Sequence, residues 1–507
     1  MRSFLLLPAL ALAMPALADG PPALPVDAVA PSPRSLPATA QEPKVLDAVQ
    51  RALADGPAGT RYGILVTTMD GSDLLAIAPD QRFIPASNTK IFTTVTAFSA
   101  LAALDASAQG TGVRLEQAGR GAQDVVLVGR GDARLSGADD CAQDCLAVLA
   151  DAVAARTHKV RNVIGDDTWF PDERWSPGMS WNNIQSRYGT GISALTMDDN
   201  ELVLTVAPGA PGAPGEPAII GAPGFYTIEN AVRTVPGSEN AIGVMRMPNS
   251  DRLVLSGTIG TQAKPETLRL GIDDPARWAA WRLQQMLEAR GVRVSGEVQV
   301  RHRPLTPADD PAQRGGTPAA HAPEPEMLAQ LPALPLAEDI RIINKVSQNL
   351  HAELMLRRVA RQSGSGSIAD GQAVLRKVMG EAGLPDEGYF FADGSGMSSY
   401  NRLSPRAAVT LLRWVAGQPW GMAWRETLPV GGVDGTLRSR FHDTLLDGKL
   451  FAKTGSLNAS RALSGYLVTA SGQTLIFSTI ANDVPDERDG EATAAMDKAL
   501  LAIAAAY

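Results

Sequence analysis

Phe83 to Phe98 reads F-I-P-A-S-N-T-K-I-F-T-T-V-T-A-F, and the rest of the chain can be arranged around it. Ser87 stands three residues before Lys90, just after Pro85 and ahead of an apolar run with helical spacing. Three residues is close to one helical turn, so a serine in the first turn shares a face with the lysine and lies within hydrogen-bonding reach of it. That is the geometry of a nucleophile and its base. The helix N-terminus adds free N–H donors and partial positive charge where an oxyanion would form. Ser-x-x-Lys alone decides nothing, because chance supplies about one or two copies in a chain of this length.

Two later stretches change its weight. Lys453-Thr454-Gly455-Ser456 ends the apolar segment Leu450 to Ala452 and precedes alternating apolar residues. Ser347-Gln348-Asn349 falls between Ile340 to Val346 and the helical pattern Leu350 to Val359. S-x-x-K, S-x-N and K-T-G in this order resemble the signature set of penicillin-binding proteins and the serine β-lactamases related to them.

The chain has 507 residues, which suggests two to four domains and permits a large core. Hydrophobic residues at 45% and charged ones at 20% are ordinary for a globular protein. A net charge of −8 gives nucleic-acid binding no electrostatic support, and no polybasic segment offers an anionic membrane a hold. Residues 1–18 read as a secretory signal: Arg2, an apolar core from Phe4 to Met14, and Ala16-Leu17-Ala18 as a cleavage site. The apolar core is too short to span a bilayer, and no other run reaches about 18 apolar residues. The mature protein is therefore expected to be exported and periplasmic, soluble or loosely membrane-associated, with residues 19–43 as a flexible Pro/Ala-rich leader. Cys141 and Cys145, the two cysteines, can form a local disulfide in an oxidising compartment. The five histidines are scattered and none makes a metal-binding pair with another or with a cysteine, so neither metal nor cofactor is expected.

Spacing speaks to organisation. Ser347 follows Ser87 by 260 positions, whereas Lys453 follows Ser347 by only 106. If all three motifs meet in one cleft, the long interval most economically holds an inserted module. A hairpin is expected over Arg61 to Ala78, turning at Asp70-Gly71-Ser72, with the Ser87 helix running on to about Leu104. Within the interval, helices are expected over Cys141 to Ala155 and Pro275 to Arg290, strands over Asp124 to Val128, Lys159 to Ile164 and from Ala218 to about Val300, and a linker or loop over Pro208 to Pro217. The aromatic segment Thr168 to Tyr188 reads as core or as a ligand platform. Arg303 to Pro335, rich in Pro and Ala, reads as an extended loop. Helices are then expected over Leu350 to Gln362, Ala369 to Ala382, Pro405 to Ala416 and Ala492 to Tyr507, with strands around Lys453, Ala462 to Thr469 and Thr474 to Ala481. The two ends of the chain then close one α/β domain.

P-A-S-N-T-K, K-V-S-Q-N-L-H-A-E, A-D-G-S-G-M-S, G-G-V-D-G-T-L and A-K-T-G-S-L together resemble the class C low-molecular-mass penicillin-binding proteins, which are D-Ala-D-Ala carboxypeptidases and endopeptidases. V-G-R-G-D-A-R-L near Gly131 and the run from Pro177 to Asn200 extend the likeness over nearly all of the chain after the leader. The resemblance implies an α/β (α+β) penicillin-recognising domain, an antiparallel sheet flanked by helices, over 44–111 and 325–507. It implies an inserted domain over 112–137 and 229–304, itself carrying a third domain over 138–228. It also implies peptidoglycan stem peptides as substrates and β-lactams as covalent inhibitors.

The carried-over site comprises Ser87 as nucleophile, Lys90 as its base, Ser347 as proton relay, Asn349 as a hold on a substrate amide and Lys453 as a cation for the terminal carboxylate. Like charge on Lys453 is expected to keep Lys90 neutral. Thr454, Gly455 and Ser456 line the carboxylate end, with the backbone N–H groups of Ser87 and Ser456 forming an oxyanion hole. Departures cluster where the stem peptide's side chain is read. Ser399 stands where relatives carry Arg, Asn183 where an acid is common, and Asn458 where Gln is usual; Arg402 offers a partial substitute for the missing Arg. Two other readings stay open. A β-lactamase shares the motifs but needs a dedicated deacylating Glu, which sequence does not single out. A non-catalytic peptidoglycan or penicillin sensor would have no need of a nucleophile aligned with a base.

Overall fold

The structure is a computed structural model, and it describes residues 43–101, 109–119, 121–318, 321 and 323–507. The expected signal and nearly all of the leader lie outside the described residues, as does the end of the Ser87 helix beyond Leu101.

Five antiparallel strands form the sheet that carries the third motif, in the order Leu450–Leu457, Ser460–Val468, Thr474–Asn482, Arg61–Thr68, Asp73–Ile77. The first hairpin of the chain therefore pairs with its last, in register from Arg61 opposite Asn482 to Thr68 opposite Leu475. Alternation sorts the side chains to two faces. Ile64, Val66 and Phe477 pack with Val45 and Val49 of Pro43–Ala54 and with Met496 and Ile503 of Asp489–Ala506. Leu65, Ile476 and Ile480 face the other way, onto a core shared by Thr89–Leu101, Leu336–Lys345, Asn349–Ser363, Ile368–Glu381 and Pro405–Ala416. Both faces are covered, which is why these strands read as nearly continuous apolar runs.

A second five-stranded sheet has the order Val298–Arg301, Val163–Asp166, Gln123–Val128, Gln109–Gln117, Ala329–Pro332. Its first three strands are parallel and the rest antiparallel. Leu146–Arg156 and Pro275–Ala289 share a core with it. The second of these helices begins where its sequence says it should, with Pro275 in the first turn and Asp274 Oδ1 accepting from the Arg277 N–H at 3.0 Å. Glu201–Ala207 pairs with Glu266–Gly271 and Glu216–Ile220, and a further small sheet centres on Arg252–Gly260. Val163–Asp166, inside the 138–228 interval, thus lies between strands from either side of that interval.

Several details differ from expectation for visible reasons. The helix expected from Cys141 starts at Leu146, because Cys141 and Cys145 are disulfide-bonded across a loop in which Asp144 has φ +52°. The Pro/Ala-rich segment after Arg303 contains the edge strand Ala329–Pro332, where Pro332 ends the pairing and so forfeits little. Gly421–Glu426 is a helix too short to announce itself by period, and Tyr389–Phe390 with Arg402–Leu403 is a two-residue ladder. The aromatic segment divides between its two readings. Phe170 is core and Trp175 Nε1 donates to the Gly189 carbonyl at 2.9 Å, whereas Trp181 and Tyr188 are exposed.

Candidate active site

Ser87 lies in a single 3-10 turn, Ala86–Asn88, that runs into the helix Thr89–Leu101. Ala86 has φ +47°, so the turn is held in a conformation that a non-glycine residue rarely adopts. Its neighbours press from two sides. A Cβ on Gly455 would stand 2.6 Å from the Pro85 carbonyl oxygen, and one on Gly396 would stand 2.0 Å from that of Ala86. Glycine at both positions is what lets the Lys453 strand and the loop after Asp393 close on the serine.

The turn and helix aim Ser87 and Lys90 at each other, with Lys90 Nζ 2.9 Å from Ser87 Oγ. The lysine is fully buried. It also donates to Asn349 Oδ1 and to the Ser395 carbonyl, each at 2.6 Å. The Asn349 amide is oriented by donating from Nδ2 to the Tyr188 carbonyl at 2.9 Å, so both of its ends are engaged. Burial lowers the Lys90 pKa to about 7, although Asp393 and Glu353 oppose the shift. A neutral amine has two N–H donors and one lone pair. The Asn349 and Ser395 oxygens, which can only accept, take the two donors and leave the lone pair for the Ser87 hydroxyl.

Ser347 precedes the helix Asn349–Ser363 with φ +61°, another strained position, and its Oγ accepts from Lys453 Nζ at 2.9 Å. Gln348 caps that helix, its Oε1 accepting from the Leu350 N–H at 3.2 Å, while its Nε2 donates to Asp199 at 3.2 Å. Lys453 is fully buried, and its pKa is lowered by burial first and by the charge of Lys90 second. Loss of solvent is therefore the first cause of the Lys90 shift, where like charge on Lys453 had been expected to be. The repulsion between the two ammonium groups is mutual and disfavours charge on both.

Thr454 Oγ1 lies 2.7 Å from Thr436 Oγ1, on the turn Gly435–Leu437; Gly455 is buried, and Ser456 is exposed. Leu450–Leu457 is an edge strand. Its outer backbone edge is a row on which an extended peptide can pair.

The residues expected to read the substrate side chain surround this core less closely. Asn183 ends the turn Trp181–Asn183. Ser399 is fastened to the same segment, its N–H and Oγ both donating to the Gly178 carbonyl at 2.9 Å. Asn458 is exposed, with φ +40°, at the tip of the hairpin after Lys453. Arg402 directs Nη1 to the Ser399 and Asn401 carbonyls, both at 2.8 Å, so that donor is spent on its own turn.

Sequence reading overlooked the frame beneath Lys90. Glu353 Oε1 accepts from the Gly394 and Ser395 N–H groups at 2.9 and 2.8 Å, and its Oε2 accepts from Arg357 at 2.8 Å. Asp393 accepts from the Gly396 and Ser398 N–H groups and from Asn401 Nδ2. Its pKa is pushed up to about 6 by burial and by the neighbouring Glu353. These two buried carboxylates hold the Ser395 carbonyl toward the lysine. Charged residues inside otherwise apolar helical or loop patterns, as in H-A-E and A-D-G-S-G, were the available signal. Away from this site, ligand-type atoms of His442, Asp443 and Asp447 lie within 4.8 Å of one another on the surface. Two of the three are aspartates, so the scatter of histidines and cysteines in the sequence does not point to them.

The profile of the D-Ala-D-Ala carboxypeptidase 3 (S13) family matches residues 45–503. The chain belongs to that family. It is 32% identical over 451 residues to the D-alanyl-D-alanine carboxypeptidase of an Actinomadura species, covering 85% of this chain and 80% of that one. It is 24% identical over 441 residues to D-alanyl-D-alanine carboxypeptidase DacB of Haemophilus influenzae, covering 84% and 86%. The crystal structure of penicillin binding protein 4 (dacB) from H. influenzae superposes with a TM-score of 0.75 at 21% identity, over 89% of this chain and 98% of that one. A second structure of that protein, complexed with a β-lactam, gives a TM-score of 0.69 at 20% identity. This S13 chain thus has the penicillin-recognising fold, and its Ser87, Ser347 and Lys453 motifs meet in one place within it.

Proposed function

We infer that the protein is a serine-type D-Ala-D-Ala carboxypeptidase that acts on peptidoglycan stem peptides through an acyl-enzyme on Ser87 and is acylated by β-lactams. The observation that carries the mechanism is the coordination of Lys90, whose two N–H donors have acceptors at 2.6 Å and whose remaining position faces Ser87 Oγ at 2.9 Å. Ser87 Oγ bonds to the carbonyl carbon of the penultimate D-Ala as its proton passes to Lys90, and the C–N bond breaks as the proton reaches the departing D-Ala amine. Ser347, hydrogen-bonded to Lys453, is the relay for that second transfer. Water then attacks the ester and frees Ser87.

The extended stem peptide lies along the outer edge of Leu450–Leu457, with its terminal carboxylate toward Lys453, Thr454 and Ser456. Carboxylate binding restores charge to Lys453 by supplying the opposite sign. Asn183, Ser399 and Asn458 flank the path of the peptide's side chain. The same acyl-enzyme arises when the leaving amine belongs to a neighbouring stem, which makes cross-link cleavage a companion activity. The β-lactamase reading is less supported, because the buried Glu353 is committed to Gly394, Ser395 and Arg357 rather than to a water at Ser87. The bonded Cys141–Cys145 pair fits an exported, periplasmic protein. Among the described residues no helix is long and apolar enough to cross a membrane.

The division of the chain follows the same reading. A catalytic domain over 44–111 and 325–507 is split by an insertion, and the sheet pairings favour giving Val163–Asp166 to the second domain rather than the third.

The test is release of D-Ala from a D-Ala-D-Ala-terminated peptide. Ser87→Ala is expected to abolish turnover while leaving peptide binding within about threefold, since the hydroxyl contributes to chemistry more than to ground-state affinity. Unchanged turnover in Ser87→Ala would remove the acyl-enzyme from the account.

A further inference from the structure

A cleft rich in charged side chains, outside the Ser87 site, lies at the far end of the Asn349–Ser363 helix. Two adjoining cavities of about 400 and 520 Å³ share Arg130, Trp169, Glu324 and Pro325. Arg361 lines the second cavity, and it follows Asn349 by twelve residues of helix, or about 18 Å along the axis.

Arg130 is nine-tenths buried, with 9% of its side chain exposed, and its ion-pair partner is Glu324, whose side chain is 55% exposed between Pro323 and Pro325. Arg361 sits over the Trp169 ring, 5.5 Å from its centroid, and its Nε is buried with no hydrogen-bond partner. Its Nη1 meets the exposed His321. Burial lowers the Arg361 pKa to about 10, and the charges of Arg303 and Arg130 act in the same direction, while Asp132, Asp166 and Asp309 also line the two cavities.

These features specify a ligand. Two guanidinium groups beside one indole suit a planar anion joined to a ring. Glu324 already presents a carboxylate to Arg130 from a surface loop, and an ion pair with one partner so exposed is worth little and is readily exchanged. Trp169, half-buried with Arg361 on one side of its ring, lines both cavities and offers apolar surface, and the exposed Gln109 and Gln362 at the first cavity carry amides that suit hydroxyl and acetamido groups.

We propose that this cleft is a second binding site, for a carboxylate-bearing saccharide of the polymeric substrate, with the sugar on Trp169 and its carboxylate on Arg130 and Arg361 in place of Glu324. The choice of polymer rests on the reading of the protein as a peptidoglycan peptidase, whereas the ligand chemistry rests on the cleft's own residues. Bound there, a glycan strand presents its stem peptides to Ser87 from a fixed distance, so the cleft favours polymer over small peptides without touching the reacting atoms.

The experiment is calorimetric titration of the full-length protein, acylated with penicillin so that the Ser87 site is occupied. The probes are peptide-free glycan oligomers bearing lactyl carboxylates and a neutral N-acetylglucosamine oligomer of equal length. The acylated protein is expected to bind the carboxylated oligomer and not the neutral one. Arg361→Ala and Trp169→Ala should each weaken binding about tenfold or more, as loss of a charge-assisted contact or an aromatic platform does. Glu324→Gln should bind at least as tightly as the unaltered protein. Penicillin acylation at the unaltered rate reports that each variant is folded; if Arg361→Ala is not acylated, Trp169→Ala carries the test. No binding, equal binding of the neutral oligomer, or undiminished binding in the folded variants would overturn the proposal. Failure of the unaltered protein to acylate would instead count against the functional reading, and the glycan titration would then be read on the free protein.

Discussion

Lys90 is fully buried, holds three oxygen partners and has a pKa lowered to about 7. The neutral amine is the base, so the protonated fraction is inactive. The rate of β-lactam acylation is expected to rise about tenfold per pH unit on the acid side and to level off above about 7. Stopped-flow acylation across that range checks it, and a rate indifferent to pH would remove Lys90 as the base. The five residues carried over as catalytic were legible because each stands in a short motif with a fixed spacing, and the structure brings them together through Lys90–Ser87, Lys90–Asn349 and Lys453–Ser347 contacts. The Ser395 carbonyl was not legible, since a backbone oxygen has no letter of its own. Nor was the source of the Lys90 shift, which is burial and so depends on everything packed around the residue.

At the scale of elements, the site depends on how closely the loop Asp393 to Ser398 abuts the Ser87 turn. Gly396 has φ +91°, and a Cβ there would meet the Ala86 carbonyl oxygen at 2.0 Å, so Gly396→Ala forces apart the loop that fixes Lys90 and the turn that carries Ser87. Acylation is expected to fall by about a hundredfold, the cost of displacing reacting groups by an ångström, while thermal unfolding remains cooperative. Acylation at the unaltered rate in Gly396→Ala would show that this close approach does not position the nucleophile. Helices with strong local punctuation were readable to within a few residues. Pro405–Ala416 has Ser404 accepting from the Ala407 N–H at 3.2 Å and proline in its first turn. The helix expected from Cys141 was misjudged, because the disulfide and the left-handed Asp144 hold residues 141–145 in a loop that periodicity does not register.

Across the whole molecule, His351 ties the long interval to the catalytic helices. Its Nδ1 and Nε2 lie 2.7 Å from Asp339 and 3.0 Å from Asp199, and Arg358 donates to the other oxygen of Asp339 at 2.9 Å. Burial opposes the charge, but the two carboxylates prevail and raise the His351 pKa to about 10. A histidine whose folded pKa exceeds its unfolded one stabilises fully below the unfolded value and loses that contribution as pH climbs through the folded value. His351→Gln is therefore expected to cost about 2 kcal/mol near pH 6, because it takes the shared cation from the buried Asp339, which keeps only Arg358, and from the part-exposed Asp199. The gap should narrow by up to about 1.4 kcal/mol per pH unit as pH approaches 10. Urea unfolding of both proteins at several pH values measures it, and a gap independent of pH would contradict the assignment of a charged His351. At this scale the length of the interval between the first two motifs was legible in their unequal spacing, and that interval builds sheets apart from the one that carries Lys453. The edge strand Ala329–Pro332 was not, since its pairing with Gln109–Gln117 joins segments more than two hundred residues apart.

The mechanism requires Ser87 to be an acylatable nucleophile. Its most direct test is mass spectrometry of the purified protein after incubation with a penicillin, followed by peptide mapping. The account predicts one adduct, on the peptide containing Ser87, persisting long enough to be mapped because deacylation is slow. An adduct on another residue, or none under conditions that label a known relative, would contradict it.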